Sequence, residues 1–69
     1  MFGILILNGD RPDIALESGT LYGGLHCGDC FRYDDNDGWI EVRLEYRDEW
    51  ILVHHNQILP IKYGTQVNI

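Results

Sequence analysis

Long apolar runs are missing from this sequence. None exceeds four residues, against the roughly 20 a membrane-spanning helix needs. The opening Met1-Phe2-Gly3-Ile4 has neither the basic start nor the small-residue cleavage site of a secretory leader. Nor does it have a glycine at the second position or the later serine of a myristoylation signal. No membrane association is expected, and a cytoplasmic location follows as the default. Cysteine is scarce too. Cys27 and Cys30 are the only two, whereas disulfide-stapled domains of this size usually carry four or more. Both are read as reduced thiols. Basic residues are outnumbered: five Lys and Arg stand against eleven Asp and Glu, for a net charge of −6. Phosphate contacts dominate nucleic-acid affinity, so this balance argues against direct nucleic-acid binding. It permits a protein partner that is itself basic, because long-range charge speeds such an encounter. Repeats, low-complexity stretches and internal linkers are absent as well.

What remains is a 69-residue chain with 45% apolar residues, ordinary for one globular domain over residues 1–69. Folding at this length buries only about 60% of the surface of the unfolded chain, so stability is expected to be modest.

The apolar run Ile4-Leu5-Ile6-Leu7 reads as a strand, Asn8-Gly9-Asp10 as a turn, and Pro12 to Leu16 as a returning strand. Four glycines between residues 18 and 30 oppose a long helix there, since each interior glycine costs about 1 kcal/mol. Cys30-Phe31-Arg32-Tyr33 suggests a short strand, and Asp34-Asp35-Asn36-Asp37-Gly38 a turn. The best-defined element is a hairpin over residues 39–54. Its first strand alternates Ile40, Val42, Leu44 and Tyr46 with Trp39, Glu41, Arg43 and Glu45. A turn at Arg47-Asp48 would set Leu44 opposite Ile51 and Val42 opposite Val53. That register assigns Ile40, Val42, Leu44, Ile51 and Val53 to the core. It leaves Trp39, Glu41, Arg43, Glu45, Trp50, Leu52 and His54 on the other face. The Pro-interrupted segment over residues 58–64 suits a single 3₁₀ turn. Alternation over residues 65–69 gives a last short strand that closes the sheet. The expected fold is all-β: five or six short strands with one 3₁₀ turn before the last suggest a small barrel or sandwich, and the order of hairpin, 3₁₀ turn and final strand is, by analogy, that of an SH3-like barrel.

Several motifs occur together. They are Leu25-His26-Cys27-Gly28-Asp29, then Trp39, Arg43-Leu44-Glu45, Trp50-x-Leu52-Val53, and a closing Gly64-x-x-Val67-x-Ile69. Taken together they resemble a family of short bacterial proteins known only as a domain of unknown function. The resemblance runs from Gly3 to Ile69. It implies a small SH3-like β-barrel, often carried on mobile elements and phages, and it brings no catalytic residue. The sequence departs from the pattern at Trp50-Ile51-Leu52, where the family has Trp-Tyr-Leu, and Cys30 lies outside it.

Three candidate sites stand beside plainer structural readings. Cys27 and Cys30, with His26, His54 or His55, have ligand types for zinc, but a single Cys-x-x-Cys without a second matched pair is weak evidence for metal, and a glycine-containing turn is the favoured reading. No metal or other cofactor is therefore expected. The acidic turn at residues 34–38 fails as a calcium loop. With Gly38 at loop position six, Tyr33 takes the first ligand position and Leu44 the last. The third site is the face carrying Trp39, Glu41, Arg43, Glu45, Trp50 and Leu52. Tryptophan and arginine dominate binding hot spots, so these six form the expected partner-binding set. The plainer reading is ordinary packing beneath the 18–30 loop. A chain this short has little room for a substrate-sized cavity, and an enzyme is not expected. Three functions follow: a protein-binding module with an acidic rim, an acidic mimic of nucleic acid that inhibits a basic protein, and a zinc-stapled structural domain. The sequence specifies no oligomeric state.

Overall fold

The computed structural model describes residues 1–69, and its strands follow the local pattern closely. β1 (Phe2–Asn8) and β2 (Arg11–Leu16) form a hairpin closed by Gly9-Asp10. Gly9 takes φ 69°, the left-handed conformation that the first position of such a two-residue loop demands. After a long connection come β3 (Cys30–Asp34), β4 (Trp39–Arg47), β5 (Glu49–His54) and β6 (Gln57–Pro60), a meander of antiparallel neighbours. β7 (Gln66–Asn68) is the last strand. No helix is present, hence none long and apolar enough to cross a membrane.

All seven strands join one antiparallel sheet in the order β2-β1-β7-β3-β4-β5-β6. β7 is therefore interior. It pairs with β1 on one side and β3 on the other, stitching the first hairpin to the meander. Its Val67 is fully buried, so three residues suffice to anchor the junction.

This architecture corrects the expected fold in four ways. The strands number seven, not five or six. The sheet stays open, because β2 and β6 lie at its two ends without pairing, so no closed barrel forms. The 3₁₀ turn expected in residues 58–64 is replaced by strand β6 and a turn in which the Thr65 N–H bonds the Lys62 carbonyl. Pro60 fits because β6 is an edge strand, where a missing N–H leaves no ladder bond unmade. The last strand does not close the sheet; it sits inside it.

One core holds the strands together. Leu5, Ile14, Leu25, Phe31, Tyr33, Val42, Leu44, Leu52 and Val67 form it, each buried. Gly3 allows β1 and β2 to approach here. A Cβ at this position would lie 2.5 Å from Ile14 Cγ2 and 2.8 Å from the Ala15 carbonyl oxygen.

Candidate functional site

The register of β4 and β5 decides which side chains share a face. Arg47 stands opposite Glu49, with Asp48 alone at the tip in left-handed conformation (φ 65°). Aspartate tolerates that conformation through its short polar side chain. The pairing then runs Tyr46 with Trp50, Glu45 with Ile51, Leu44 with Leu52 and Arg43 with Val53. It differs by one residue from the expected register, and a one-residue slip turns a whole strand over.

The expected six-residue set is consequently divided. Trp39, Glu41, Arg43 and Glu45 remain together on the outward face of β4. Trp50 and Leu52 turn to the side of Leu44 and Tyr46. Leu52 is 0% exposed and lies in the core, where no partner can touch it. Trp50 packs against the core edge, and its ring meets Tyr46 edge-on at 5.1 Å. Ile51 and Val53, expected in the core, are buried on the opposite face instead, across from Glu45 and Arg43. The reason is packing. This register sets Leu52 directly against Leu44, and the strand has apolar residues enough to cover both faces.

The outward face is built strand by strand. β3 contributes Asp34, Arg32 and Cys30 opposite Trp39, Glu41 and Arg43. Phe2 arrives from β1, three strands away, and its ring centroid lies 6.0 Å from that of Trp39. Phe2 is 53% exposed and Trp39 44%, so two large rings meet in solvent. At the other end of the row Glu45 accepts hydrogen bonds from Arg43 Nε at 2.6 Å and from Arg47 Nη2 at 2.8 Å. The Arg43 bond above all holds the Glu45 carboxyl below its usual range; desolvation opposes it and Arg47 reinforces it. Between the two ends lies a shallow depression of about 460 Å³ bordered by Cys30, Trp39, Arg43, Val53 and His54. His54 Nδ1 is hydrogen-bonded to the Glu41 carbonyl at 2.8 Å, and its ring meets His55 at 4.2 Å.

The cysteine motif is held by hydrogen bonds of its own turn and to β4. Asp29 accepts the His26 N–H on its carboxylate at 2.8 Å and returns its own N–H to the His26 carbonyl at 3.0 Å. Gly28, at φ 96°, donates to the Leu44 carbonyl, and Leu44 donates to the Asp29 carbonyl. The turn thus extends the sheet beside β4 and seats Leu25 in the core. Cys27 and Cys30 are exposed free thiols. His26 bonds the Gly24 carbonyl through its ring, and no three His, Cys, Asp or Glu side chains converge as a metal site would require. The acidic turn is likewise self-bonded: Asp34 accepts the Asn36 N–H, and Asp35 donates to the Gly38 carbonyl.

Sequence reading missed two residues. Phe2 belongs to the outward patch, and only the strand order β1-β7-β3-β4 brings it near Trp39. Asp13 is buried and accepts the N–H groups of Ile14 and Gly23, pinning the long connection against β2. The alternation Pro12-Asp13-Ile14 could have flagged it as a strand carboxylate needing donors.

No curated protein matches the chain. A crystal structure of a protein from Ruminococcus gnavus is similar over 100% of both chains, at 37% identity and a TM-score of 0.83. Residues 3–69 match the family described as Domain of unknown function (DUF5348), and the chain belongs to that family.

Proposed function

We propose that the chain is a non-enzymatic protein-binding module whose contact surface is the outward row of β4, centred on Trp39. The observation that carries this reading is the pairing of Phe2 and Trp39 in solvent, 6.0 Å apart. Neither ring is needed to fill the core, and exposed aromatics beside an arginine are what interface hot spots are made of. Glu41, Arg43 and Glu45 then form the polar rim, with Glu45 held between two guanidinium groups. Trp50 and Leu52 leave the proposed set for the packing reasons above.

The test is capture of a partner from the source cell on immobilised protein. Wild type and Trp50→Phe retain it, whereas Trp39→Ala and Phe2→Ala lose it with unchanged melting temperature. Retention is expected to change little between low and moderate salt, because aromatic burial is insensitive to screening. A partner kept by Trp39→Ala but shed steeply with salt supports the acidic-mimic reading instead. Against that rival stands the placement of the acids. The acids along the outward face of β4 are interrupted by Arg43 and Arg47, both of which pair with Glu45, so the negative charge there is partly neutralised.

A further inference from the structure

Asp13 is 7% exposed on β2, and only half of its carboxylate is used by the fold. Oδ1 accepts both the Ile14 and the Gly23 N–H, at 2.8 and 3.0 Å. Oδ2 accepts no hydrogen bond from the chain, and no base pairs with it: the two ion pairs of the protein both belong to Glu45. No side-chain nitrogen or oxygen is both fully shielded and unpartnered, so Oδ2 opens onto the space that Asp13 borders. That space is a cavity of about 350 Å³ between the tip of the β1–β2 hairpin and residues 21–26. A carboxylate oxygen so nearly withdrawn from water calls for a donor.

The cavity walls select that donor. Asp10 adds a second carboxylate. His26 borders the cavity too, and its Nδ1–H donates to the Gly24 carbonyl, which leaves Nε2 as an acceptor while the ring is neutral. Leu21 and Leu25 supply an apolar wall. Arg11 is the one base in the lining, and it is engaged elsewhere: Nη2 donates to the Leu25 carbonyl, and the guanidinium stands 5.6 Å from the Trp50 ring. The occupant must therefore donate hydrogen bonds, carry positive charge and tolerate an apolar wall. A metal ion does not fit, because no three His, Cys, Asp or Glu side chains converge to ligate one. A guanidinium is a flat fork matched to two free carboxylate oxygens, and Asp13 offers one. A primary ammonium is a compact donor that a single oxygen suits, and its alkyl stem suits the leucines.

We propose that this cavity binds a primary alkylammonium group, with Asp13 Oδ2 as its anchor, Asp10 as a second acceptor and the stem against Leu21 and Leu25. The net charge of −6 draws such a cation in from solution. Because Oδ1 of the same carboxylate holds the Gly23 N–H, the bound cation also fastens the long connection to β2. The site shares no residue with the Trp39 row and does not depend on the function proposed for that row.

Amide-detected NMR titration of the full chain tests this. The probes are n-butylammonium, as a free amine, and Nα-acetyl-lysine methylamide, as the side chain of a protein. Saturable shifts centred on the Ile14 and Gly23 amides are expected with at least one of them, and the tighter of the two identifies the source of the ammonium. Tetramethylammonium has the charge without an N–H, and n-butanol has the stem without the charge; each is expected to bind at least ~tenfold more weakly. Asp13→Asn keeps an oxygen for the two amides and removes the anionic anchor, so it is expected to weaken binding at least ~tenfold. Asp10→Asn, at an exposed turn position where folding is not at stake, is expected to weaken it also. Glu41→Gln removes the same charge from exposed β4 and is expected to leave binding unchanged. Shifts that never saturate, tetramethylammonium binding as well as the primary amines, or Glu41→Gln weakening binding as much as the two aspartate variants overturns the proposal.

Discussion

Trp50 donates its indole N–H to the backbone carbonyl of Asp10, 40 residues earlier in the chain, at 3.2 Å. The Arg11 guanidinium stands 5.6 Å from the same ring, and its Nη2 bonds the Leu25 carbonyl. These contacts tie the tip of the β1–β2 hairpin to β5, two strands that the sheet order keeps far apart. They hold the curl of an open sheet whose edges never meet.

Trp50→Phe keeps most of the ring and removes the indole donor, so it is expected to cost about 1 kcal/mol. Trp50→Ala also removes half-buried packing and is expected to cost about 2–3 kcal/mol, below the range for a fully buried tryptophan. Urea unfolding followed by circular dichroism separates the two. Equal costs would mean that the ring packs against nothing.

The facing pair Leu44 and Leu52 supplies a test of register. Each is fully buried, and each truncation to alanine is expected to cost about 2–5 kcal/mol. Because the two residues pair directly across the ladder, the double variant should depart from additivity by about 0.5–3 kcal/mol. Additive costs would return the hairpin to the other register.

Gly3 and Gly9 should respond to alanine for different reasons. At Gly3 the added Cβ collides with Ile14 and the Ala15 carbonyl, and prising β1 from β2 is expected to cost about 1–3 kcal/mol. At Gly9 the space is open and only the left-handed backbone resists, for about 1 kcal/mol. Thermal melts of the two variants rank them, and a more damaging change at Gly9 would contradict the close approach.

The Glu45 carboxyl is expected to titrate below its ordinary 4.5, because Arg43 and Arg47 favour its charged form. A folded-state value below the unfolded one means that the pair contributes stability above about pH 4.5, lost as pH falls through the depressed value. The contribution is small, since the group is solvent-screened. Carboxyl-detected NMR titration checks it. Arg43→Gln should move the Glu45 midpoint up more than Arg47→Gln does, and no movement in either would remove the ion pairs as the cause.

The strands themselves were legible because they rest on neighbours in sequence. Alternation placed Val42 and Leu44 on the buried side of β4, and Asn8-Gly9-Asp10 announced the first hairpin. The face of β5 was not legible. Trp50-Ile51-Leu52-Val53 is apolar at every position, so it carries no alternation to choose a side, and the choice fell to a single residue in the turn. The segment around Pro60 failed for a related reason: proline argues against an interior strand but not an edge one, and only the sheet order says which strand is at the edge.

By itself, then, the sequence determined an all-β chain of net negative charge, a hairpin from Trp39 to His54, and turns around Asp29 and Asp34. These depend on backbone preferences and short-range hydrogen bonds, which act within a few residues. The tertiary structure alone decided that β7 lies inside the sheet, that the sheet stays open, that Phe2 meets Trp39 and that Trp50 reaches Asp10. Those outcomes depend on which apolar surfaces cover one another, a property of the whole set of strands and of no single segment.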